Sequence, residues 1–415
     1  MRRGHQRPQP ILPGATIGIL GSGQLGRMLA LAAAALGYRV QVYSPDPDSP
    51  AGQVAAGEAV GGYEDAAAIA RFAAGVDLLT FEFENLSSAA VAAATRHTLV
   101  RPGAEVLAMA QNRQREKKFL SAAGFPVATW SPLPVPATRE PSEQPSSAGA
   151  PRAGGQDVDP VPHEVGYPAI VKTAGFGYDG KGQRRVSDAG ELAAAIAAAG
   201  ATPLIVEQMV PFDRELSVIG ARAPGGEFRA YGPFENSHRR HILDLTSAPV
   251  VTAAALRRHA RELVRDLMEQ LDVIGLLCVE LFQVGDRLII NEVAPRPHNS
   301  GHLTIDACAT SQFEQHIRAV CGLPLGDPAQ HTPAAMANLL GDLWSHGATP
   351  AWPQALAQPG VKLHLYAKRE PRPGRKMGHL TALASDTATA VRRATSAQAL
   401  LNRPAGTRAP APPTS

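Results

Sequence analysis

The sequence predicts an α/β protein of roughly two to three domains, and three features of its 415 residues carry that reading. A glycine loop sits between two strand-like runs near the N-terminus. Strand-like and helix-like stretches then alternate through the middle of the chain. Two strand-like runs around a Gly-Asp turn lead into a polar loop, together VELFQVGDRLIINEVAPRPHNSGH, residues 279 to 302.

Taken in order, a Pro-rich basic tail (residues 1 to 13) precedes TIGIL, the loop GSGQLG, an Ala-rich helix and RVQVY, a βαβ opening. The helix-like EDAAAIARFAAG leads into VDLLTFEFEN, where Leu79, Phe81 and Phe83 alternate with Thr80, Glu82 and Glu84 as in a half-buried strand. Residues 104 to 123 read as one helix closed by Gly124, followed by the strand PVATW. From 132 to 162 Pro, Ser, Ala, Gly and charge dominate without apolar period, which predicts a solvated insertion. Order resumes at YPAIVK and continues through LIVEQMV, RELSVIGAR and the amphipathic helix TAAALRRHARELVRDLMEQL. KLHLYAKRE and HLTALA are strand candidates around a basic turn, and the tail after residue 402 should be disordered.

Bulk properties exclude several classes. A formal net charge of +3, dispersed along the chain, does not point to nucleic acid. Cys278, Cys308 and Cys321 show no CxxC spacing, so a reducing cytoplasm is the natural compartment and each thiol should be a small buried residue. MLALAAAALG resembles a signal-peptide core, but a strand and a glycine loop come before it. No apolar run reaches the roughly 18 residues a membrane helix needs.

Four segments carry chemistry. GSGQLG follows a strand and opens a helix, so its N–H groups could hold a phosphate; with Asp46 about twenty residues on, a dinucleotide site is open. GFGYDGKGQ, residues 175 to 183, follows the strand bearing Lys172; it lacks the P-loop ending, yet its glycines and Lys181 could cover a triphosphate, or simply form a hairpin tip. In the hairpin, a three-residue turn, 285 to 287, would set Glu280 opposite Glu292, whereas a two-residue turn would set it opposite Asn291. Facing carboxylates repel, and a magnesium ion between them would reverse that sign, so a metal site requires the first pairing; a solvated face does not. Lys368, Arg372, Arg375 and Lys376 form a basic turn that could grip phosphate or remain solvated. His238 and His241 lack the companions zinc needs.

Together these segments resemble the 5-(carboxyamino)imidazole ribonucleotide synthases, ATP-grasp ligases of purine synthesis. GSGQLGRM, KTAGFGYDGKGQ, VEQMV, ENSHRRHIL, INEVAPRPHNSGH and RPGRKMGH occur in that family's order along nearly the whole chain. The resemblance implies a Rossmann-like pre-ATP-grasp domain over 14–100, an ATP-grasp domain over 101–328 and a small C-terminal β-rich domain over 329–400. It also implies that ATP phosphorylates bicarbonate and that the amine of aminoimidazole ribonucleotide captures the activated carbon, in a cytoplasmic homodimer with neither nucleic-acid nor membrane partner.

Position by position, it implies ATP contacts at Arg113, Lys172, Gly177, Tyr178, Asp179, Gly180, Lys181, Gly182, Gln183, Glu207, Gln208, Met209, Val210, Glu215, His238, Asn291 and Glu292, with adenine read near Gln208 and Val210. Magnesium would sit on Glu280 and Glu292. The ribonucleotide would meet Gln24, Leu25, Glu82, Tyr178, Asp179, Lys368 and Arg375, and Asp179, Arg296, His298 and Lys368 would act in catalysis. The chain departs from the family at Asn112, where Asp is usual, and in its long insertion. The formate-dependent transformylase acting on glycinamide ribonucleotide is the neighbouring alternative; it has Glu at Gln24 and HDTG where this chain has His298 to Gly301.

Overall fold

The computed structural model describes residues 9–133, 164–175, 182–344 and 349–401. Two compact units share the chain, one of residues 1–110 with 212–415 and one of 111–211. Beyond residue 133 the insertion, like the tail after 401, lies outside the described residues.

The βαβ opening folds as expected. β1 (Thr16–Leu20), α1 (Gln24–Ala35), β2 (Arg39–Ser44), β3 (Gly57–Val60), α2 (Ala66–Ala74), β4 (Leu78–Phe81), α3 (Ser88–Ala94) and β5 (Leu99–Val100) form a parallel sheet, order β3-β2-β1-β4-β5. The half-buried strand expected from Leu79 to Glu84 is not there. β4 is shorter and buried on both faces, Leu78 against Ile317 and Phe313, Leu79 and Phe81 against Ile69 and Val91. An inner parallel strand covered on both faces loses the in-out alternation of an exposed sheet. Because β4 stops at Phe81, Glu82 and Glu84 fall in the following loop.

The single helix read over 104–123 is two, α4 (Ala104–Ala110) and α5 (Arg113–Ala122). Asn112 breaks it: its side-chain oxygen accepts the N–H groups of Gln114 and Arg115 at 3.0 and 3.1 Å, capping α5. The departure from Asp therefore keeps a working cap. With β6 (Trp130–Leu133), β7 (Ala169–Thr173), β8 (Gln183–Val186), α6 (Ala189–Ala199) and β9 (Leu204–Gln208), α5 completes the 111–211 unit around an antiparallel sheet ordered β6-β9-β7-β8.

The other unit continues with β10 (Arg214–Arg222), β11 (Phe228–Arg239), β12 (Ile242–Ala248), α7 (Ala254–Gln270), β13 (Gly275–Val284) and β14 (Arg287–Ala294). After these come α8 (Thr304–Ala307), α9 (Gln312–Cys321), β15 (Ala334–Leu340), α10 (Trp352–Leu356), β16 (Val361–Leu365), β17 (Lys376–Leu383) and α11 (Thr387–Leu401). Their strands make one eight-stranded antiparallel sheet, order β14-β13-β10-β11-β12-β15-β17-β16. α7 turns Leu256, Ala260, Leu263, Val264 and Leu267 inward at helical spacing, and each buried Leu is worth about 1.5–3 kcal/mol. Gly220 on β10 lets it approach: a Cβ there would stand 2.5 Å from the Met268 sulfur. α9 packs on α1 and carries Gln312 toward the polar loop after β14.

The three cysteines are free and buried, as expected. Among the described residues no helix is long and apolar enough to cross a membrane.

Candidate active site

The β13–β14 hairpin reaches the metal-compatible pairing by a route the spacing did not predict. Its turn holds two residues, not three: Val284 pairs with Arg287, Gln283 with Leu288 and Leu281 with Ile290. Gly285 takes the first central position at φ +57, where L side chains are strained. A β-bulge then shifts the register by one, so Glu280 faces Glu292 and Asn291 is the extra residue. The tip is pinned by the Gly285 N–H, which donates to Asp213 Oδ2 at 2.7 Å, and by Phe212 stacked on Phe282 at 4.6 Å.

Polar groups gather around this carboxylate pair. His298 Nε2 lies 3.1 Å from Glu280 Oε1. Burial pushes the Glu280 carboxyl up, but the His298 hydrogen bond and the charges of His238 and Lys376 prevail and hold it below the usual carboxylate range. His238 Nδ1 is hydrogen-bonded to Glu215. Burial opposes protonation of His238, yet Glu215 and Glu280 outweigh it and raise its pKa.

The loop after β14 is held from two sides. Arg296 Nε donates to Glu84 Oε1 at 2.7 Å, and that carboxylate more than offsets burial, keeping the guanidinium above its ordinary pKa. Gln312 clamps His298 through both backbone groups, accepting its N–H at 2.9 Å and donating to its carbonyl at 2.7 Å. Gly301 has no room for a side chain, since a Cβ would lie 2.4 Å from Ile219 Cδ1.

Two N–H groups of the N-terminal glycine loop already have an internal acceptor. The Glu82 carboxylate, buried at the N-terminus of α1, accepts from Gly23 and, at 2.6 Å, from Gly26. Gly21 has no space for a Cβ, which would fall 2.4 Å from Glu82 Cγ. An internal anion thus fills the place a dinucleotide would need, and the dinucleotide reading fails. Burial raises the Glu82 pKa, opposed by those N–H donors, Lys368 and Arg296.

Beside it lies a cleft of about 240 Å³ lined by Ser22, Gly23, Asp46, Tyr63, Glu82, Lys368 and Arg375 among others. Of the expected ribonucleotide residues, Gln24 opens α1 next to Gly23 of this cleft, and Leu25 packs into the core. Lys368 Nζ donates to the Lys376 carbonyl at 2.8 Å, and Arg375 Nη1 to the Glu370 carbonyl at 2.9 Å. Arg372 does not join them; it pairs with Glu370 on the exposed turn.

The 111–211 unit holds its own charged cluster. Glu207 on β9 bonds Lys172 on β7 at 2.7 Å and meets Lys117 of α5 at 3.5 Å. Burial raises the Glu207 carboxyl, but Lys117, Lys172 and Arg113 together hold it below its ordinary value. The Arg113 N–H donates to Ala174 O at 2.7 Å and its Nη1 to Thr173 O at 3.3 Å. Gln183 pairs with Lys172, just after Gly182 at φ +74. The N–H groups of Gln208 and Met209 bond within the unit to Thr129 and Pro168, and Val210 follows. Gly177, Tyr178, Asp179, Gly180 and Lys181 lie outside the described residues.

Residues 14–111 match the ribonucleotide synthetase preATP-grasp domain, 153–313 the ATP-grasp domain, and 334–393 the phosphoribosylaminoimidazole carboxylase C-terminal domain. The N5-carboxyaminoimidazole ribonucleotide synthase of Bacillus subtilis (strain 168) is 41% identical over 90% of this chain and 92% of its own. The chain belongs to the N5-carboxyaminoimidazole ribonucleotide synthase family. A crystal structure of such a synthetase in complex with ADP superposes with a TM-score of 0.84 at 38% identity, covering 94% of this chain and 97% of that one. The Aspergillus clavatus synthase in complex with ADP and 5-aminoimidazole ribonucleotide gives 0.80 at 30% identity, covering 94% and 98%.

This synthase chain therefore has the ATP-grasp fold and is a carbon–nitrogen ligase. Motif spacing does not single out Glu84, Lys117 or Gln312. Each acts on a motif residue of another element, and only the helical positions of Lys117 and Gln312 hinted at burial. Among the described residues no three His, Cys, Asp or Glu form a metal cluster. The donor set nevertheless suits a hard divalent cation: Glu280 and Glu292 are directly opposed carboxylates, and such like charges gain from a cation between them.

Proposed function

We propose that this synthase joins bicarbonate to the exocyclic amine of 5-aminoimidazole ribonucleotide at the expense of ATP. The products are N5-carboxyaminoimidazole ribonucleotide, ADP and phosphate, in de novo purine synthesis. One observation carries the reading most. Arg296 bonds Glu84 and its charge also acts on Glu82, which lines the cleft with Lys368, so the Glu280, His298 and Arg296 group lies near that cleft.

Bicarbonate is a poor electrophile because hydroxide leaves badly. Phosphorylation turns that oxygen into a phosphate leaving group, and the amine then forms the C–N bond and loses a proton. In the 111–211 unit we assign Arg113, Lys172, Gln183, Glu207 and the 208–210 segment to the nucleotide, with 177–182 covering its phosphates. In the other unit we assign Glu215, His238 and Asn291 to nucleotide binding, and Lys368 and Arg375 to the ribonucleotide phosphate. Glu280 and Glu292 would hold magnesium, which when bound supplies charge neutralisation for phosphoryl transfer. Arg296 and Lys368 hold the developing anion, and His298 moves a proton.

By the same reading the enzyme works in the cytoplasm as a homodimer, a state light scattering would read. The buried free thiols suit a reducing compartment. The formate-dependent alternative has nothing in its favour once the family is known. The test follows ADP and phosphate release with ATP, magnesium and bicarbonate, with and without aminoimidazole ribonucleotide. Stimulation by the ribonucleotide is expected; its absence rejects the assignment.

A further inference from the structure

A file of polar side chains crosses the middle of the large sheet beside the candidate site, Ser217 pairing with Glu280 and Asn236 with Glu215. Thr246 on β12 donates its hydroxyl to Asn236 Oδ1 at 3.0 Å, and Asn236 Nδ2 donates to Ser217 Oγ on β10 at 2.9 Å. The Ser217 hydroxyl donates to Ser300 Oγ at 2.8 Å, and Ser300 Oγ lies 2.8 Å from His298 Nδ1. The opposite ring nitrogen faces Glu280. Thr246, Ser217 and Ser300 are fully buried, and Asn236 is 8% exposed.

Burying four polar side chains is unfavourable unless each is bonded, and a matched apolar set would serve stability as well. Folding alone therefore does not demand this file. What it does is give direction to the last bond. A hydroxyl already receiving a proton from Ser217 sends its own elsewhere, and of the two acceptors in reach His298 Nδ1, at 2.8 Å, is stronger than the Cys278 sulfur. The Ser300 backbone N–H, which can only donate, points at the same atom at 3.3 Å. Two donors converge on Nδ1, so that nitrogen carries the lone pair.

We propose that Ser217 and Ser300 are positioning residues that fix His298 in the tautomer with its proton on Nε2, the atom turned toward Glu280. The proposal rests on the reading that His298 exchanges a proton during the reaction. It adds which nitrogen does so, and what enforces the choice. Without the relay the ring would sample both tautomers and rotate more freely, and only a fraction of molecules would present the proton correctly.

The experiment uses the full-length enzyme with ¹⁵N-labelled histidine, the His298 signals being assigned by difference from His298→Asn. In the wild type, Nδ1 should be unprotonated and Nε2 protonated; a protonated Nδ1 overturns the proposal whether or not any serine variant folds. Ser300→Ala and Ser217→Ala should each shift His298 toward mixed tautomers and lower kcat about 10- to 100-fold with little change in KM. Ser217→Thr, which keeps the hydroxyl, should recover most of the loss. Wild-type kcat and wild-type imidazole signals in both alanine variants overturn the relay. Full turnover by His298→Asn would instead remove the catalytic reading of His298, a failure separable from the first because the tautomer is measured without turnover.

Discussion

Glu280 lies directly opposite Glu292 across β13 and β14, and the extra residue Asn291 is what puts it there. Without the bulge, the two-residue turn would carry the pairing on so that Glu280 met Asn291. The pair is the proposed magnesium site, so Glu292→Gln removes a ligand charge with almost no change of volume. ADP release should fall by roughly 100-fold or more, while circular dichroism stays that of the wild type. Unchanged activity would reject the metal role.

The Glu82 carboxylate stands where a ligand phosphate would otherwise sit, accepting the Gly23 and Gly26 N–H groups. Glu82→Ala strips both donors of their partner, and a buried donor left unsatisfied costs about 1–3 kcal/mol. Urea unfolding should show a loss of about 2 kcal/mol or more, and ribonucleotide stimulation should vanish. A fully stable Glu82→Ala variant would mean that the bonds to α1 matter little.

Two buried carboxyls should respond to pH in opposite senses. The Glu207 pKa is lowered in the fold, chiefly by Lys117 and Lys172 against the opposing effect of burial. Its contribution is fully present above the unfolded value of about 4.3 and is lost as pH falls through the folded value. The Glu82 pKa is raised by burial, so its ionisation disfavours folding, and stability from that group declines as pH rises from the unfolded value through the folded one. Glu207→Gln should cost about 3 kcal/mol at neutral pH and less in acid, because it removes the carboxylate charge that faces two buried ammonium groups. Urea midpoints from pH 3 to 7, roughly the span over which carboxyls titrate, would check this. A pH-independent loss would sink the assignment.

The strands were readable from sequence because their apolar runs are strong. Reading the hairpin register was harder, although a signal exists: Leu288 and Ile290 keep a period of two, but the next buried position is Val293, a slip of one that marks the bulge. Turn-length reasoning passed over it. The break at Asn112 was equally legible as a cap followed by charged residues. Glu82 was a different matter, since its partnership with α1 depends on β4 running parallel to β1 and ending level with it, Phe81 beside Leu20. No local pattern encodes that. Lys117 and Gln312 failed for the same reason: a helix position does not say which distant backbone or carboxylate it will meet.

Arg296 supplies the last prediction, because its guanidinium is anchored by Glu84 in a loop more than two hundred residues away in sequence. Glu84→Gln keeps the shape but replaces an ion pair by a neutral hydrogen bond, so the guanidinium stays buried with less of its compensation. We expect kcat to fall about 10- to 100-fold, as for other supports of a reacting group, with KM for ATP nearly unchanged. Arg296→Lys should be at least as damaging, because a lysine cannot reproduce the planar fork that meets Glu84 while facing the reaction. Steady-state kinetics of both variants decide the matter: wild-type kcat in Glu84→Gln would show that Arg296 needs no anchor, and would return Glu84 to the status of an ordinary loop carboxylate.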